Sequence, residues 1–529
     1  MAGTIYSLLP PLVAIVLCVV LREAILALLA GIVVGSYLLY GLSPVMPLFR
    51  AFDEIMLASF TDTDNAIVLM FTVLTGGVTG ILNGSAVARA FIKKLANQVQ
   101  DRGKAMVTIW LTGFLFFIDD YANCLVVGNV YRGLADRLRI SREKLAYLVD
   151  TTAAPITSLA LVSTWIGVEV SLIREALEIT GNTQETAYGL FLSSIPYRFY
   201  PVLALVFGLM IALSKRDFGP MYRVESAPQG DEELPVAVET PDSSERPLSS
   251  LASLVLLPLI VLLVSSIGLL AWHGHHNGAT VDWVHPLDTL MGLFSQADPF
   301  LCLLWATILA TITSFVVHYG ILREPPLEIH RAWFSGCQGM FTVCVILVMA
   351  WSIGDVCKQL GTGPYVASLL GAGFPPAFLP FFTFLFAAVI SFATGTSYGT
   401  MSILMPIALP IALQLGGGNH EIIVATVGSV LGGAIFGDHC SPLSDTTILS
   451  AGSSGCSITA HVNTQFPYAL LVGGVSALCL LGIAVLPVSV YGYLVLAVAV
   501  LGGFLFHKGK KTDDADPVEN RGVGDPVSN

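Results

Sequence analysis

The stretch Phe116-Phe117-Ile118-Asp119-Asp120-Tyr121-Ala122-Asn123 lies in the middle of an apolar segment from about Ala105 to Val130, and it sets two adjacent acids at the depth of a bilayer. A charge at the bilayer centre costs on the order of 3 kcal/mol by insertion scales and about 10 or more by simulation, so such residues face a cavity and function there. Basic residues bracket the segment: Arg89, Lys93, Lys94, Arg102 and Lys104 before it, Arg132, Arg137, Arg139, Arg142 and Lys144 after it. Lys and Arg gather on cytoplasmic loops, and a helix crossing once would put one cluster outside. The segment is therefore expected to dip in and return as a re-entrant hairpin. Its polar turn should line a cavity, because irregular backbone is tolerated at that depth only against protein or water.

Outward from this hairpin the chain stays apolar, with 54% hydrophobic and 12% charged residues among 529, against about a quarter charged in soluble domains. Apolar runs near the roughly 20 residues of a span occur at Ile5–Leu21, Ala24–Tyr40, Ala66–Leu82, Leu190–Leu213, Leu251–Ala271, Phe300–His318, Cys337–Ile353, Phe466–Leu486 and Val488–Phe506. The first has no basic residues before it and reads as a retained span, not a signal peptide. The nine cysteines form no C-x-x-C pair and read as small buried hydrophobes. Neither a disulfide nor a cofactor is indicated, and nothing supports nucleic-acid binding. His273, His275 and His276 read as exposed loop residues, not as a metal tract.

A second hairpin is expected from about Ala377 to Leu415, broken at Thr394-Gly395-Thr396-Ser397-Tyr398-Gly399-Thr400. Each hairpin precedes an interrupted span. One runs from Leu145 to Leu172 with its break near Asp150-Thr151-Thr152-Ala153-Ala154-Pro155. The other runs from Ile422 to Leu449, with its break near Gly437-Asp438-His439-Cys440-Ser441-Pro442-Leu443-Ser444-Asp445-Thr446-Thr447. Asp-Thr-Thr occurs in both, and Leu82-Asn83-Gly84-Ser85 is echoed by Leu360-Gly361-Thr362-Gly363. The expected fold is an all-α polytopic membrane protein of two inverted repeats, each with a re-entrant hairpin and a broken transmembrane helix. The count is about eleven spans plus two hairpins, in a design known for secondary transporters.

The expected organisation is a first transmembrane repeat at 1–214, an acidic disordered cytoplasmic loop at 215–249, a second repeat at 250–486, an extra span at 487–506 and a disordered tail at 507–529. The loop and tail hold much of the acid behind the net charge of −12, and their Pro, Ser, Glu and Asp cannot bury a core.

Na⁺ prefers hard oxygen ligands, which unwound helices supply as carbonyls beside Asp, Thr, Ser and Asn side chains. The candidate site residues are Asp119, Asp120, Asn123, Asp150, Thr151 and Thr152 in the first half. In the second half they are Thr396, Ser397, Thr400, Asp438, Ser441, Asp445 and Thr446. Asp120, Asp150, Asp438 and Asp445 are the candidate sodium ligands. Clustered acids in low dielectric resist ionisation, so one of them can take H⁺ when Na⁺ leaves. Each Asp-Thr-Thr alone reads equally well as a helix cap; their presence in both halves favours function. His439 reads as a satisfied buried histidine. Glu169 is expected to snorkel to the outer surface, and no Lys or Arg is expected in the cavity.

Phe117-Ile118-Asp119-Asp120-Tyr121-Ala122-Asn123, the run Thr151 to Thr157 leading into Ser163-Thr164-Trp165-Ile166-Gly167, Gly395 to Thr400, and the Gly437 to Thr447 stretch together resemble the NhaC-type Na⁺/H⁺ antiporters of the ion transporter superfamily. The resemblance covers most of the chain, apart from the acidic loop and tail. It implies a multi-pass secondary transporter of the inner (plasma) membrane that exchanges Na⁺ for H⁺ by alternating access, with lipid and small cations as its only implied partners and a homodimer left open. The alternative is a Na⁺- or H⁺-coupled carrier of a small organic acid or amino acid, which would hold a substrate carboxylate at half-helix N-termini. A channel would need a continuous pore and a selectivity ring. An enzyme is not indicated, since no nucleophile–base pairing or cofactor motif stands in its required context.

Overall fold

Long apolar runs become helices because only an intra-segment hydrogen-bond ladder satisfies the backbone where there is no water. The computed structural model describes residues 4–512 except 22, 42, 44, 86–92, 97, 183, 228–247, 279–288, 290, 291, 295, 363, 364 and 366–373. The first set of elements begins with α1 (Leu9–Leu21), α2 (Ala24–Tyr40) and α3 (Thr63–Gly84). The hairpin α4 (Arg102–Leu115) and α5 (Asp120–Arg137) follows, then α6 (Arg142–Thr151), α7 (Ala154–Leu159) and α8 (Ile166–Thr180), and then α9 (Ala187–Ser194) and α10 (Phe199–Ser214). The short α11 (Gly219–Ser226) leads towards α12 (Leu248–His276) and α13 (Pro299–Phe315).

The second set continues through α14 (Pro326–Gly339) and α15 (Phe341–Leu360), the hairpin α16 (Leu379–Thr394) and α17 (Ser397–Leu415), the broken α18 (His420–Cys440) and α19 (Asp445–Ser454), and α20 (Ile458–Val485). An added α21 (Val490–Lys508) ends the helical part. Nine helices among the described residues are long and apolar enough to cross a membrane, or ten if the bent pair Ala187–Tyr197 and Phe199–Ser214 counts as one span. The chain is thus an all-α, multi-pass membrane protein. The arms of the second hairpin are themselves among the nine.

The order of helix pair, long helix, hairpin and broken helix occurs twice, and the packing between the sets is reciprocal: α2 lies on α15, and α13 lies on α3. The contact of α3 with α14 depends on small residues. Gly76 and Gly80, one turn apart, close on Gly336, and a Cβ on Gly80 would meet the Ala332 carbonyl and the Gly336 backbone. Without a hydrophobic drive between helices in lipid, such close approach is what holds them together. Gly80→Ala should therefore lower the thermal midpoint of the detergent-purified protein. Gly133→Ala, where a Cβ meets nothing within 4 Å, should leave it unchanged or raise it slightly; equal effects at the two positions would contradict this packing.

Several expectations are corrected. Leu190–Leu213 is not one plain span: it bends by 45° at Arg198, whose buried guanidinium bonds to Ser194 before the bend and to Ser158 and Glu169 on α7 and α8. The first broken helix has two interruptions, after Thr151 and between Leu159 and Ile166, not one. The two Asp-Thr-Thr tripeptides are not equivalent positions, since Asp150 ends a helix and Asp445 begins one. The upstream echo lies partly outside the described residues, as do 228–247 and 513–529.

The edges of the two segments expected to be disordered are built in. Glu225 is buried in α11, paired with Arg102 and accepting from the Ser141 backbone at 3.3 Å. The strand β1 (Arg216–Asp217) pairs antiparallel with β2 (Lys510–Lys511). Asp217 is paired with the buried Lys144 and accepts from Tyr468 Oη at 2.6 Å. Burial pushes the Glu225 carboxyl above its ordinary value, although Lys144 and Arg102 oppose the shift. Because the folded value is the higher one, the net contribution of this carboxyl to folding stability is largest at low pH and falls as pH rises through the folded value.

Candidate functional site

Each hairpin tip is held by the broken helix that follows it. Thr164 donates to the Ile118 carbonyl through its backbone N–H at 2.8 Å and its hydroxyl at 3.2 Å, and Ser441 Oγ donates to the Phe392 carbonyl at 2.8 Å. Both bonds close carbonyls left open by the turns, which matters where solvent cannot. By this criterion Thr164, not Asp150, is the counterpart of Ser441. The Tyr398 ring, just inside the second hairpin, packs 4.8 Å from Trp165 in the second interruption of the first broken helix, next to Thr164, which holds the first tip.

Asp119 is buried and caps α5, its Oδ1 accepting from Ala122 N at 2.7 Å. Capping, weighed for the Asp-Thr-Thr acids, falls instead to Asp119, while Ser444 fills that role for α19. Asp120 is buried within electrostatic reach of Asp119 and Asp438, and Asp438 within reach of Asp150 and Asp445. Asp438 Oδ1 accepts from Ser444 Oγ at 2.7 Å, and Ser444 Oγ lies 3.0 Å from Thr446 Oγ1.

Asp150 is fully buried at the meeting of three elements. Its Oδ2 accepts from Gln465 Nε2 at 2.6 Å, His461 Nε2 at 3.1 Å and Thr447 Oγ1 at 3.4 Å. The neighbouring Thr151 Oγ1 lies 3.2 Å from His439 Nε2, and His439 Nδ1 lies 2.6 Å from Tyr200 Oη. His439 is thus a satisfied buried histidine. Asn123 donates to the Thr152 carbonyl at 2.6 Å and the Gly113 carbonyl at 2.9 Å, leaving its buried Oδ1 without a partner.

Other predicted residues are turned to other uses or placed elsewhere. Thr152, Thr400 and Ser397 donate to the Leu148, Thr396 and Ala434 carbonyls at 3.0, 2.9 and 3.2 Å, and Thr396 caps α17. Asp445 is exposed: with Ser444 in the cap position it begins the helix proper, and its Oδ2 accepts from Tyr121 Oη at 3.1 Å. Asp120, Asp150, Asp438 and Asp445 do not close on one point; among the described residues no three of His, Cys, Asp and Glu form a metal-holding group.

Glu169 does not snorkel. It is fully buried, and its Oε2 lies 2.7 Å from Nη1 of Arg198, which is also fully buried. The expectation of a cavity without Lys or Arg is not touched by this pair, since Arg198 bonds to none of Asp120, Asp150 and Asp438. The α9–α10 bend brings Arg198 inward, where it also donates to the Ser158 carbonyl at 2.5 Å and to Ser194 Oγ at 3.0 Å. His461, Gln465 and Tyr200 stand in no motif read from the sequence, while Tyr121 and Thr447 lie within such motifs but are not among the predicted site residues. The available signal was the polar His461-x-x-x-Gln465 pair, one turn apart and directly before an apolar run.

The family model described as the Na⁺/H⁺ antiporter family matches residues 156–485. A Haemophilus influenzae protein described only as uncharacterized is 29% identical over 515 residues, covering 94% of this chain and 95% of its own. The arginine/ornithine antiporter ArcD of Halobacterium salinarum is 34% identical over 192 residues, covering 35% of this chain and 36% of its own. Among solved structures, the YdaH transporter of Alcanivorax borkumensis aligns with a TM-score of 0.57 at 16% identity, over 94% of this chain and 98% of that one, a likeness of fold.

Proposed function

The chain belongs to the Na⁺/H⁺ antiporter family, and from that premise we propose that this secondary transporter exchanges Na⁺ for H⁺ across the inner membrane. The observation that carries the reading is the row of buried carboxylates Asp120, Asp438 and Asp150 where both hairpin tips and both broken helices meet, none of them paired with Lys or Arg among the described residues. Buried carboxylates without a Lys or Arg partner call for a mobile cation, and Asp150 has in addition His461 Nε2 at 3.1 Å. Na⁺ and H⁺ satisfy it in turn, so the loaded or protonated site crosses and the empty charged one does not. The two sets of elements are inverted repeats, and their rocking about the shared site gives alternating access.

The test uses vesicles containing only this protein. An imposed pH gradient should drive Na⁺ movement with no organic solute present, and the absence of flux would overturn the exchange. A second reading, a coupled carrier of an amino acid or small organic acid, draws support from the similarity to an arginine/ornithine antiporter and from the buried Arg198. Flux that appears only after such a solute is added would favour it.

A further inference from the structure

We propose that Asp217, which stands in β1 outside the apolar helices, is a positioning residue for the Asp150 site: it fixes the register of α6 against the first turns of α20. Lys144 Nζ and Tyr468 Oη both donate to the same atom, Asp217 Oδ1, the tyrosine at 2.6 Å. All three side chains are buried. The Phe218 N–H donates to Tyr468 Oη at 3.4 Å, and Lys144 Nζ stands 5.9 Å over the Tyr468 ring. One carboxylate oxygen thus joins α6 to α20. A buried ion pair is weak evidence for stability, and its best-attested use is to fix register.

The same two helices meet again at Asp150. Lys144 precedes Asp150 by six positions on α6, and Tyr468 follows His461 by seven on α20. At about 1.5 Å of rise per residue these intervals are roughly 9 and 10 Å. They match, as antiparallel neighbours require. The Tyr147 ring meets the Tyr468 ring edge-on at 5.0 Å between the two contacts. A slide of part of a turn would separate Asp150 Oδ2 from Gln465 Nε2 at 2.6 Å and from His461 Nε2 at 3.1 Å.

Between Tyr468 and those donors α20 carries Pro467. Proline has no N–H, and its ring crowds the carbonyl four residues back. The helix is therefore loosened where it leads to Gln465 and His461, and the clamp at Tyr468 sits directly beside the loosened turn. Asp217 is itself held by the pairing of β1 with β2. There Arg216 Nη1 donates to the Gly509 carbonyl at 2.7 Å, and the Thr512 N–H to the Lys215 carbonyl at 3.3 Å. The paired edges of loop and tail thus act on the site without touching it. This rests on the exchange reading for the part Asp150 plays in transport, but the clamp has a test that needs no transport.

That test uses Tyr468→Phe, which removes one hydroxyl and keeps the ring against Tyr147. In the full chain purified in detergent, amide deuterium uptake should be faster than in the wild type over Asp150 and over His461 to Gln465, and unchanged over α2. Unchanged uptake at Asp150 overturns the clamp, whatever the vesicle assay gives. In vesicles, the Na⁺ concentration for half-maximal exchange should rise at least about tenfold at a maximal rate close to wild type, because a misplacement of about 1 Å costs a positioned site on the order of a hundredfold. A lower thermal midpoint with an unchanged half-maximal concentration would make the contact structural only and overturn the positioning role. Asp217→Ala should raise the half-maximal concentration at least as much, and adding Tyr468→Phe to it should change nothing further, since the clamp is already gone; a further rise overturns the clamp. If Asp217→Ala does not fold, Tyr468→Phe decides alone. Faster uptake in Tyr468→Phe, with no Na⁺ flux in the wild type, would support the clamp and overturn the exchange.

Discussion

Asp150→Asn should abolish gradient-driven exchange while the protein remains folded. Three donors, from Gln465, His461 and Thr447, converge on Asp150 Oδ2, so an asparagine must place its oxygen there and its NH₂ group where Oδ1 now stands. The acceptor needed by the surrounding network survives, which is why folding should hold. On the open side the change is severe, because a free anionic oxygen becomes a pair of N–H donors facing the place of the cation. A cation about 4 Å from a carboxylate gains about 4 kcal/mol at an effective dielectric constant near 20, roughly a thousandfold in affinity. Na⁺ flux in vesicles should therefore fall to background, with a thermal midpoint close to wild type. Full activity would remove Asp150 from the transport site; a collapsed melting transition would show that its role is structural. Asp445→Asn should be much milder, since Asp445 is exposed and engaged by Tyr121.

The parts legible in the sequence were those in which polar residues interrupt an apolar run. The tip at Phe116 to Asn123, the second tip at Thr394 to Thr400 and the break at Ser441 to Ser444 all showed this way, because turns in lipid need residues that can satisfy an open backbone. Asp150 showed for the same reason. The repeated tripeptide misled, because identical letters carry no information about which end of a helix they occupy. Thr164 and Ser441, which perform the same task, share only a hydroxyl.

Gln465 and His461 were missed at the edge of an apolar run. The span was read from Phe466, and the helix in fact extends back to Ile458, so the polar residues just before the run belong to its first turns. Arg198 was passed over inside a run apolar enough to absorb one charge in a hydropathy count. Its partner Glu169 lies 29 positions earlier, a pairing that only the bend at Arg198 and the second break bring together.

That pair should produce the largest stability effect in the molecule. Arg198 and Glu169 are both fully buried, and the guanidinium joins Ser194 on α9, Ser158 on α7 and Glu169 on α8. Removing the arginine with Arg198→Met leaves a buried carboxylate whose Oε1 already lacks a partner. Breaking a buried pair from one side costs about 3–5 kcal/mol, and denaturant unfolding in detergent should register a loss of that order. Glu169→Gln should cost less, because Arg198 keeps the Ser158 carbonyl and Ser194 Oγ as acceptors. The double variant Glu169→Gln/Arg198→Met should recover much of the loss, since removing both charges together removes the burial penalty as well. Additive losses would show that the two residues act independently. The coupling also bears on cargo: a substrate carboxylate that bound Arg198 would compete with Glu169, at a cost comparable to breaking the pair.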